Sequence, residues 1–231
     1  MPLKTDIIPM FARIAKRYDF ANRLLSFGLD QYWRWRMVQF FKKKQPQNIV
    51  DFATGSGDVA FTIRRVLGNQ PRITGVDFCQ PMLKEAKRKQ ADWPDCKKIN
   101  FITGDCLDLP FDDHTFDVGT IAFGVRNFEN RLSGLASLYR VLRPGGYLVI
   151  LESSQPYAWL APVYFFYLKH IMPRIAQKLT HDISAYQYLA ESIQAFPSPQ
   201  ALADELRQVG FRDVRFIRPA LGIVAIHCAQ K

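Results

Sequence analysis

From Asn48 onward the chain alternates short apolar runs with amphipathic stretches, a texture that is absent before that point. The runs NIVDFA, RITGVDF, KINFITGD, TFDVGTIAFG and YLVILES predict five strands. Between them, residues 59–67, 81–92 (opened by Pro81) and 132–142 (closed by Pro144-Gly145-Gly146) predict helices. Strand–helix alternation of this kind builds a parallel sheet covered by helices on both faces. After Glu152 the pattern loosens. Residues 157–175 are aromatic-rich and helical in pattern, with breaks expected at Pro162 and Pro173. Short helices follow at 186–195 and 199–209, the second ending at Gly210. FRDVRFIRP and GIVAIHCA then predict two more strands, an antiparallel close that makes the sheet seven-stranded.

The first 44 residues read as two or three helices broken near Ser26-Phe27-Gly28. The expected organisation is therefore an N-terminal helical cap over 1–44 and one α/β domain over 45–231, with an insert at about 155–197. With 48% hydrophobic and 23% charged residues, the 231-residue chain has the balance of a packed globule, which excludes disordered, collagen-like and low-complexity classes.

Cys79, Cys96, Cys106 and Cys228 are scattered, as are His114, His170, His181 and His227, so neither a disulfide framework nor a metal site is expected. Charges interrupt every apolar stretch of the N-terminus, which does not read as a signal peptide. The longest uncharged apolar run, 157–168, is short of the ~20 residues a membrane-spanning helix needs. A cytoplasmic location is expected.

Charge is distributed unevenly. Of the formal +10, residues 1–44 contribute +7, from ten Lys/Arg against three acids. Aromatic residues are interleaved with these charges. The combination points to a polyanionic partner, either nucleic acid or an anionic membrane surface, or to a solvated helical face.

Chemistry concentrates after the first strand. Asp51-Phe52-Ala53-Thr54-Gly55-Ser56-Gly57-Asp58 leaves a strand and opens a helix, and its glycines let backbone amides approach a ligand at the carboxyl edge of the sheet. Asp77, at the end of the second strand, is placed to hydrogen-bond ribose hydroxyls. Asp105 ends the third strand, where an adenine edge could lie. A dinucleotide would set its anionic pyrophosphate on the helix N-terminus, and Asp51 and Asp58 flank that place. Carboxylates there suit S-adenosylmethionine instead, which carries an ammonium and a sulfonium but no phosphate.

The segments AKRYDFANRLLSFGLDQYWRW, DFATGSGDVA, GVDFCQPMLKEAKRK, DLPFDDHTFDVGTIAFGVRNFEN, LYRVLRPGGYLVILE, YQYLAESIQAFP and GIVAIHCAQK together resemble the ubiquinone/menaquinone biosynthesis C-methyltransferase family nearly end to end. The resemblance implies a Rossmann-like class I methyltransferase fold and S-adenosylmethionine as cofactor. It also implies methylation of a ring carbon of a polyprenylated quinol, such as demethylmenaquinol or a methoxy-benzoquinol. Asp51, Thr54, Gly55, Ser56, Gly57, Asp77, Phe78, Asp105 and Cys106 form the implied cofactor site. Ala122 stands where the family often has a serine, leaving its backbone to contribute, and Ser153-Ser154 departs from a common aromatic–serine pair.

Carbon methylation needs an electron-rich ring, hence a reduced quinol, preferably ionised at one oxygen. Since a phenol has a pKa near ~10, the site must favour the anion. Arg126 is the residue expected to do so, with Asn127 orienting the second oxygen. Tyr18, Asp19 and Asn22 are expected to close over the ring, Asp19 as a possible base. The alternatives are pairing of Arg126 with Glu129 or another acid nearby, and of Asp19 with Arg23. His227 reads as structural. A prenylated substrate resides in a bilayer, so a peripheral association of the basic N-terminus and residues 157–167 with anionic lipid is expected. A homodimer or a quinone-synthesis complex is a further expected partner. RNA methylation and a non-catalytic scaffold role remain alternatives, although no RRM-like, KH or OB motif is present.

Overall fold

The computed structural model describes residues 4–96, 98–180 and 183–231; His181 and the first three residues of the expected cap lie outside them. Helices α1 (Lys4–Leu25) and α2 (Leu29–Gln39) precede β1 (Asn48–Phe52), α3 (Asp58–Leu67), β2 (Arg72–Asp77), α4 (Gln80–Ala91), β3 (Ile99–Thr103) and β4 (Phe116–Ala122). Next come α5 (Arg131–Val141), β5 (Leu142–Ser153), α6 (Ala161–Phe166), α7 (Met172–Thr180), α8 (Ile183–Ala195) and α9 (Pro199–Val209). The antiparallel pair β6 (Arg212–Ile217) and β7 (Val224–Gln230) closes the chain.

The sheet runs β3-β2-β1-β4-β5-β7-β6, parallel except for β7, which is antiparallel to both its neighbours. Strand order reverses between β1 and β4, and in doubly wound sheets ligands bind in the crevice at the carboxyl ends of such strands. Side chains alternate between two cores. Val50, Phe52, Leu148 and Ile150 pack with α5 and α9 through Leu135, Leu138, Leu202 and Leu206. On the other face Ile49, Val149 and Ile226 pack with α2, α3 and α4 through Met37, Phe61, Ile63 and Leu83. Burying both faces requires strands that are apolar throughout, which explains the unbroken runs in the sequence.

Helix α2 thus sits in the sheet's own helical layer. Helix α1 does not: its Met10, Ile14 and Ala21 pack with Leu168, Met172, Ala185, Ala190 and Ile193 of the 167–195 region. The cap helix and the late insert share one apolar cluster.

Two boundaries differ from expectation. Helix α5 ends at Val141, and β5 begins at once with Leu142 opposite Phe116, so Pro144-Gly145-Gly146 lies inside an irregular strand start. A Cβ at Gly146 would meet the Arg143 and Asp117 carbonyl oxygens at 2.8 and 3.0 Å. Pro162 and Pro173 do not break the helical run either. Pro162 occupies the first turn of α6, where its missing N–H costs nothing, and Pro173 follows a π-helical turn at Tyr167–Ile171 that shifts the hydrogen-bond register.

Candidate active site

Two cavities meet at the reversal of strand order. The first is walled by Asp51, Thr54, Gly55, Ser56, Asp77, Phe78, Asp105, Cys106 and Ala122, with Phe11 and Tyr18 of α1 roofing it. The second is lined by Asn22, Leu25, Phe27, Leu29, Arg126, Ser153, Tyr164, Leu168, Leu189 and Ile223 and is mostly apolar. Tyr18, Arg34 and Phe123 face both. The N-terminal motif, the Gly loop and the segment after β4 therefore converge on one crevice.

At the strand ends the backbone is held in unusual conformations. Ala53 and Phe123, which follow β1 and β4, have φ of 46° and 57°, in the left-handed region that side chains other than glycine seldom adopt. A Cβ at Gly124 would meet the Ala53 Cβ at 2.8 Å, so the two strand ends touch through that glycine. Gly57 lies off the cavity wall; it caps α3 at φ 85°, and an added Cβ would fall 2.9 Å from both Phe101 and Phe61.

The buried carboxylates are differently compensated. Asp51 accepts hydroxyl hydrogen bonds from Thr54 (2.6 Å) and Thr120 (2.7 Å), yet burial pushes its carboxyl up to about 7. Asp77 accepts the amides of Gly55 (2.7 Å) and Cys79 (2.8 Å), and burial raises it to about 6. Neither has an ion-pair partner among the described residues. Asp58 is the reverse case. Burial works against its ionisation, but Arg34, Lys89 and Arg23 hold it below the usual carboxylate range. Lys89 Nζ donates to it at 2.6 Å, and Arg23 and Arg34 stand 3.9 Å away. Repulsion of a pyrophosphate therefore falls to Asp51 and Asp77, not to Asp58. Two buried, unpaired carboxylates beside an amide-rich loop fit a cationic nucleoside such as S-adenosylmethionine. Burial also pushes the Cys106 thiol up, leaving a neutral wall.

Asp19, Asn127 and Arg126 each have defined partners. Asp19 lines neither cavity; it accepts from Lys89 Nζ (2.7 Å) and Ser56 Oγ (2.5 Å), which ties α1 to α4 and the Gly loop and leaves no free base. Arg23 accordingly reaches Asp58 instead of Asp19. Asn127 lines the first cavity, and its Oδ1 accepts from the Tyr188 hydroxyl at 2.8 Å. Arg126 pairs with an acid, as its alternative reading allowed, and the acid is Glu152 at the end of β5.

Tyr18 lies where expected. Burial raises its phenol while Arg126 and Arg34 pull the other way, so it stands as a protonated donor between the cavities. His227 is a core residue: its Nε2 contacts the Pro199 carbonyl oxygen at 2.8 Å, and burial lowers its pKa to about 4. Arg34, Lys89, Glu152 and Tyr188 went unrecognised in the sequence as members of the site, although Arg34 falls within the YWRW segment.

The ubiE/COQ5 methyltransferase family model matches residues 3–231. The chain is 42% identical over 224 residues to a demethylmenaquinone methyltransferase of Thermus thermophilus, covering 96% of this chain and 100% of the relative. It is 39% identical over 232 residues to the enzyme of that name from Porphyromonas gingivalis, covering 100% and 94%. With the ubiquinone/menaquinone biosynthesis C-methyltransferase UbiE of Geotalea daltonii it shares 41% identity over 223 residues, covering 96% and 94%.

Among solved structures, a possible histamine N-methyltransferase from Thermotoga maritima aligns with a TM-score of 0.65 at 17% identity, covering 96% of this chain and 98% of that one. Human N-acetylserotonin methyltransferase in complex with S-adenosylmethionine aligns at 0.67 and 17%, covering 100% and 60%. At such identities the likeness concerns the fold. Matched over all but its first two residues, this chain belongs to the ubiE/COQ5 methyltransferase family and takes S-adenosylmethionine as its methyl donor.

Proposed function

We propose that the chain methylates a ring carbon of a polyprenylated quinol, demethylmenaquinol or a methoxy-benzoquinol, held in the second cavity. The observation that carries this reading is the shared wall. A carboxylate-lined cavity and an apolar one abut at Tyr18, Arg34 and Phe123, so that a bound methyl donor and a ring would be neighbours there. Holding two reactants aligned can remove about 7–11 kcal/mol of barrier. The relatives' names, which concern demethylmenaquinone and quinone biosynthesis, agree.

The bound cofactor supplies an electrophilic methyl group on a sulfonium. The protein's part is to hold its ribose through Asp77, its adenine edge near Asp105, and its cationic end between Asp51 and the Gly loop. In the second cavity Arg126 would donate to the quinol oxygen and favour its anion, which raises electron density on the ring carbon. Arginine stays protonated, so it stabilises charge and is not the base. After methyl transfer the ring carbon's proton would leave to water, since Asp19 is committed to Lys89.

The cavity's outer rim supports a lipid-resident substrate. Phe27 lines it yet is 82% exposed, and Leu29 is also exposed. Exposed Leu221 lies two residues from the lining Ile223 and accepts the Tyr157 amide at 3.1 Å. No helix among the described residues is long and apolar enough to cross a membrane. With the basic N-terminal segment, such a rim suits docking on an anionic bilayer surface, each basic residue contributing about 1 kcal/mol near the lipid.

The deciding experiment is incubation with labelled S-adenosylmethionine and each reduced ring type, followed by mass spectrometry. Methyl transfer to neither ring would reject the reading. Co-sedimentation with anionic vesicles that does not depend on salt or lipid charge would reject the docking.

A further inference from the structure

The first cavity has a lopsided electrostatic wall. Asp51, Asp58, Asp77, Asp105 and Glu129 line it, against a single cation among the described residues, Arg34. S-adenosylmethionine carries an ammonium and a sulfonium, but its amino-acid end also carries a carboxylate. A carboxylate taken out of water into such a wall needs a cation to meet it, or the desolvation goes uncompensated.

Arg34 has the capacity to do this. It is only 6% exposed and projects from α2 onto the wall between the two cavities, its guanidinium 5.8 Å from the Phe123 ring. A guanidinium offers five N–H donors in a planar fork. One nitrogen, Nη1, donates to Asp30 Oδ2. Nη2 stands 3.9 Å from Asp58 Oδ2, too far for a hydrogen bond. Nε is buried without a hydrogen-bond partner. Asp58 takes its hydrogen bond from Lys89 Nζ at 2.6 Å, while Arg34 and Arg23 act on it from 3.9 Å. Beyond its ion pair with Asp30, the buried fork therefore keeps donors for one further anion.

We propose that Arg34 is the anchor for the carboxylate of S-adenosylmethionine, fixing the amino-acid end of the cofactor against the partition between the two cavities. The assignment rests on the cofactor alone. It stands or falls independently of which ring is methylated.

The test compares calorimetric affinities for S-adenosylmethionine and for its decarboxylated form, in the wild-type protein and in Arg34→Gln, with circular dichroism reporting the fold. In the wild type, excising the carboxylate should weaken binding by about 10- to 100-fold, the range for a hydrogen-bonded charge. In Arg34→Gln, S-adenosylmethionine should lose a similar factor, and the preference for the carboxylated ligand should vanish or invert. A wild type that does not discriminate would overturn the assignment. So would an Arg34→Gln protein that keeps the wild-type ratio while binding both ligands more weakly, the result expected of a mere brace between α2 and α3. Should Arg34→Gln fail to fold, Arg34→Lys replaces it: its single ammonium must shrink the ratio, and an unchanged ratio overturns the assignment equally.

Discussion

Arg126 and Glu152 form a buried ion pair that joins the turn after β4 to the end of β5. Arg126 Nη1 donates to Glu152 Oε1, which also accepts the Ser153 amide at 2.8 Å, while Oε2 takes the Arg126 amide at 3.3 Å. Breaking such a pair from one side strands a charge in the interior, at a cost of about 3–5 kcal/mol. Arg126→Ala should therefore lower stability by that amount and cut turnover at least ~100-fold, the scale of a lost anion-stabilising donor. Cofactor affinity should be nearly unchanged, because Arg126 faces only the second cavity. Denaturant melts, calorimetry and single-turnover kinetics check the three parts, and substantial turnover in the variant would remove Arg126 from the mechanism.

Asp51 and Asp77 predict a pH dependence with a definite sign. Their folded pKa values, about 7 and about 6, lie above the ordinary carboxylate value. Their contribution to stability is thus fully present at low pH and is lost as pH rises through 6 and 7. The cofactor-free protein should lose stability over that interval, while affinity for the cationic cofactor should increase as both groups ionise. Asp77→Ala should weaken cofactor binding and flatten the lower part of the profile. Calorimetry at pH 5.5 to 8 measures both effects, and unchanged affinity in Asp77→Ala would contradict the ribose assignment.

Asp19→Asn separates a latch from a base. Asp19 bridges Ser56 and Lys89 across partly exposed surface, where ion pairs contribute about 0–1 kcal/mol. The variant should keep its single-turnover rate within a few-fold and show no new limb in its pH–rate profile. Cleavage within α1 by limited proteolysis should become faster. A hundredfold loss in the chemical step would restore Asp19 as the proton acceptor.

Gly57→Ala should be poorly tolerated. The position has φ 85°, and the new Cβ would press on two aromatic rings at 2.9 Å. Strain in the left-handed region alone costs about 1–3 kcal/mol. A fall of several degrees in melting temperature, with weakened cofactor binding, is the expected outcome. An unshifted melt would show that Phe61 and Phe101 can yield.

How much of this was legible in the sequence depended on whether neighbours along the chain or across the fold decide a residue's role. The strands, the Gly loop and Asp77 were readable because unbroken apolar runs and a strand–glycine–helix junction are local patterns. The α5–β5 boundary was missed because Leu142 is drawn into the sheet by Phe116, a partner 26 residues away. The ion pair of Asp19 was hidden for the same reason: its partner Lys89 is 70 residues distant, and no spacing rule reveals it. Glu152 appeared only as the end of an apolar strand. That it supports Arg126 follows from β4 and β5 lying side by side.

The apolar cluster shared by α1 and the segment around 167–193 bears on engineering. Two stretches some 150 residues apart in sequence share that cluster, and α1 also rests on α4 through Ala15 against Cys79 and Met82. Grafting either stretch alone from a relative with another ring preference would mismatch Met10 and Ile14 against foreign counterparts of Met172 and Ile193. Grafting both should keep the cluster matched, and retaining Ala15 and Asp19 should preserve the seat of α1 on α4 and the Gly loop.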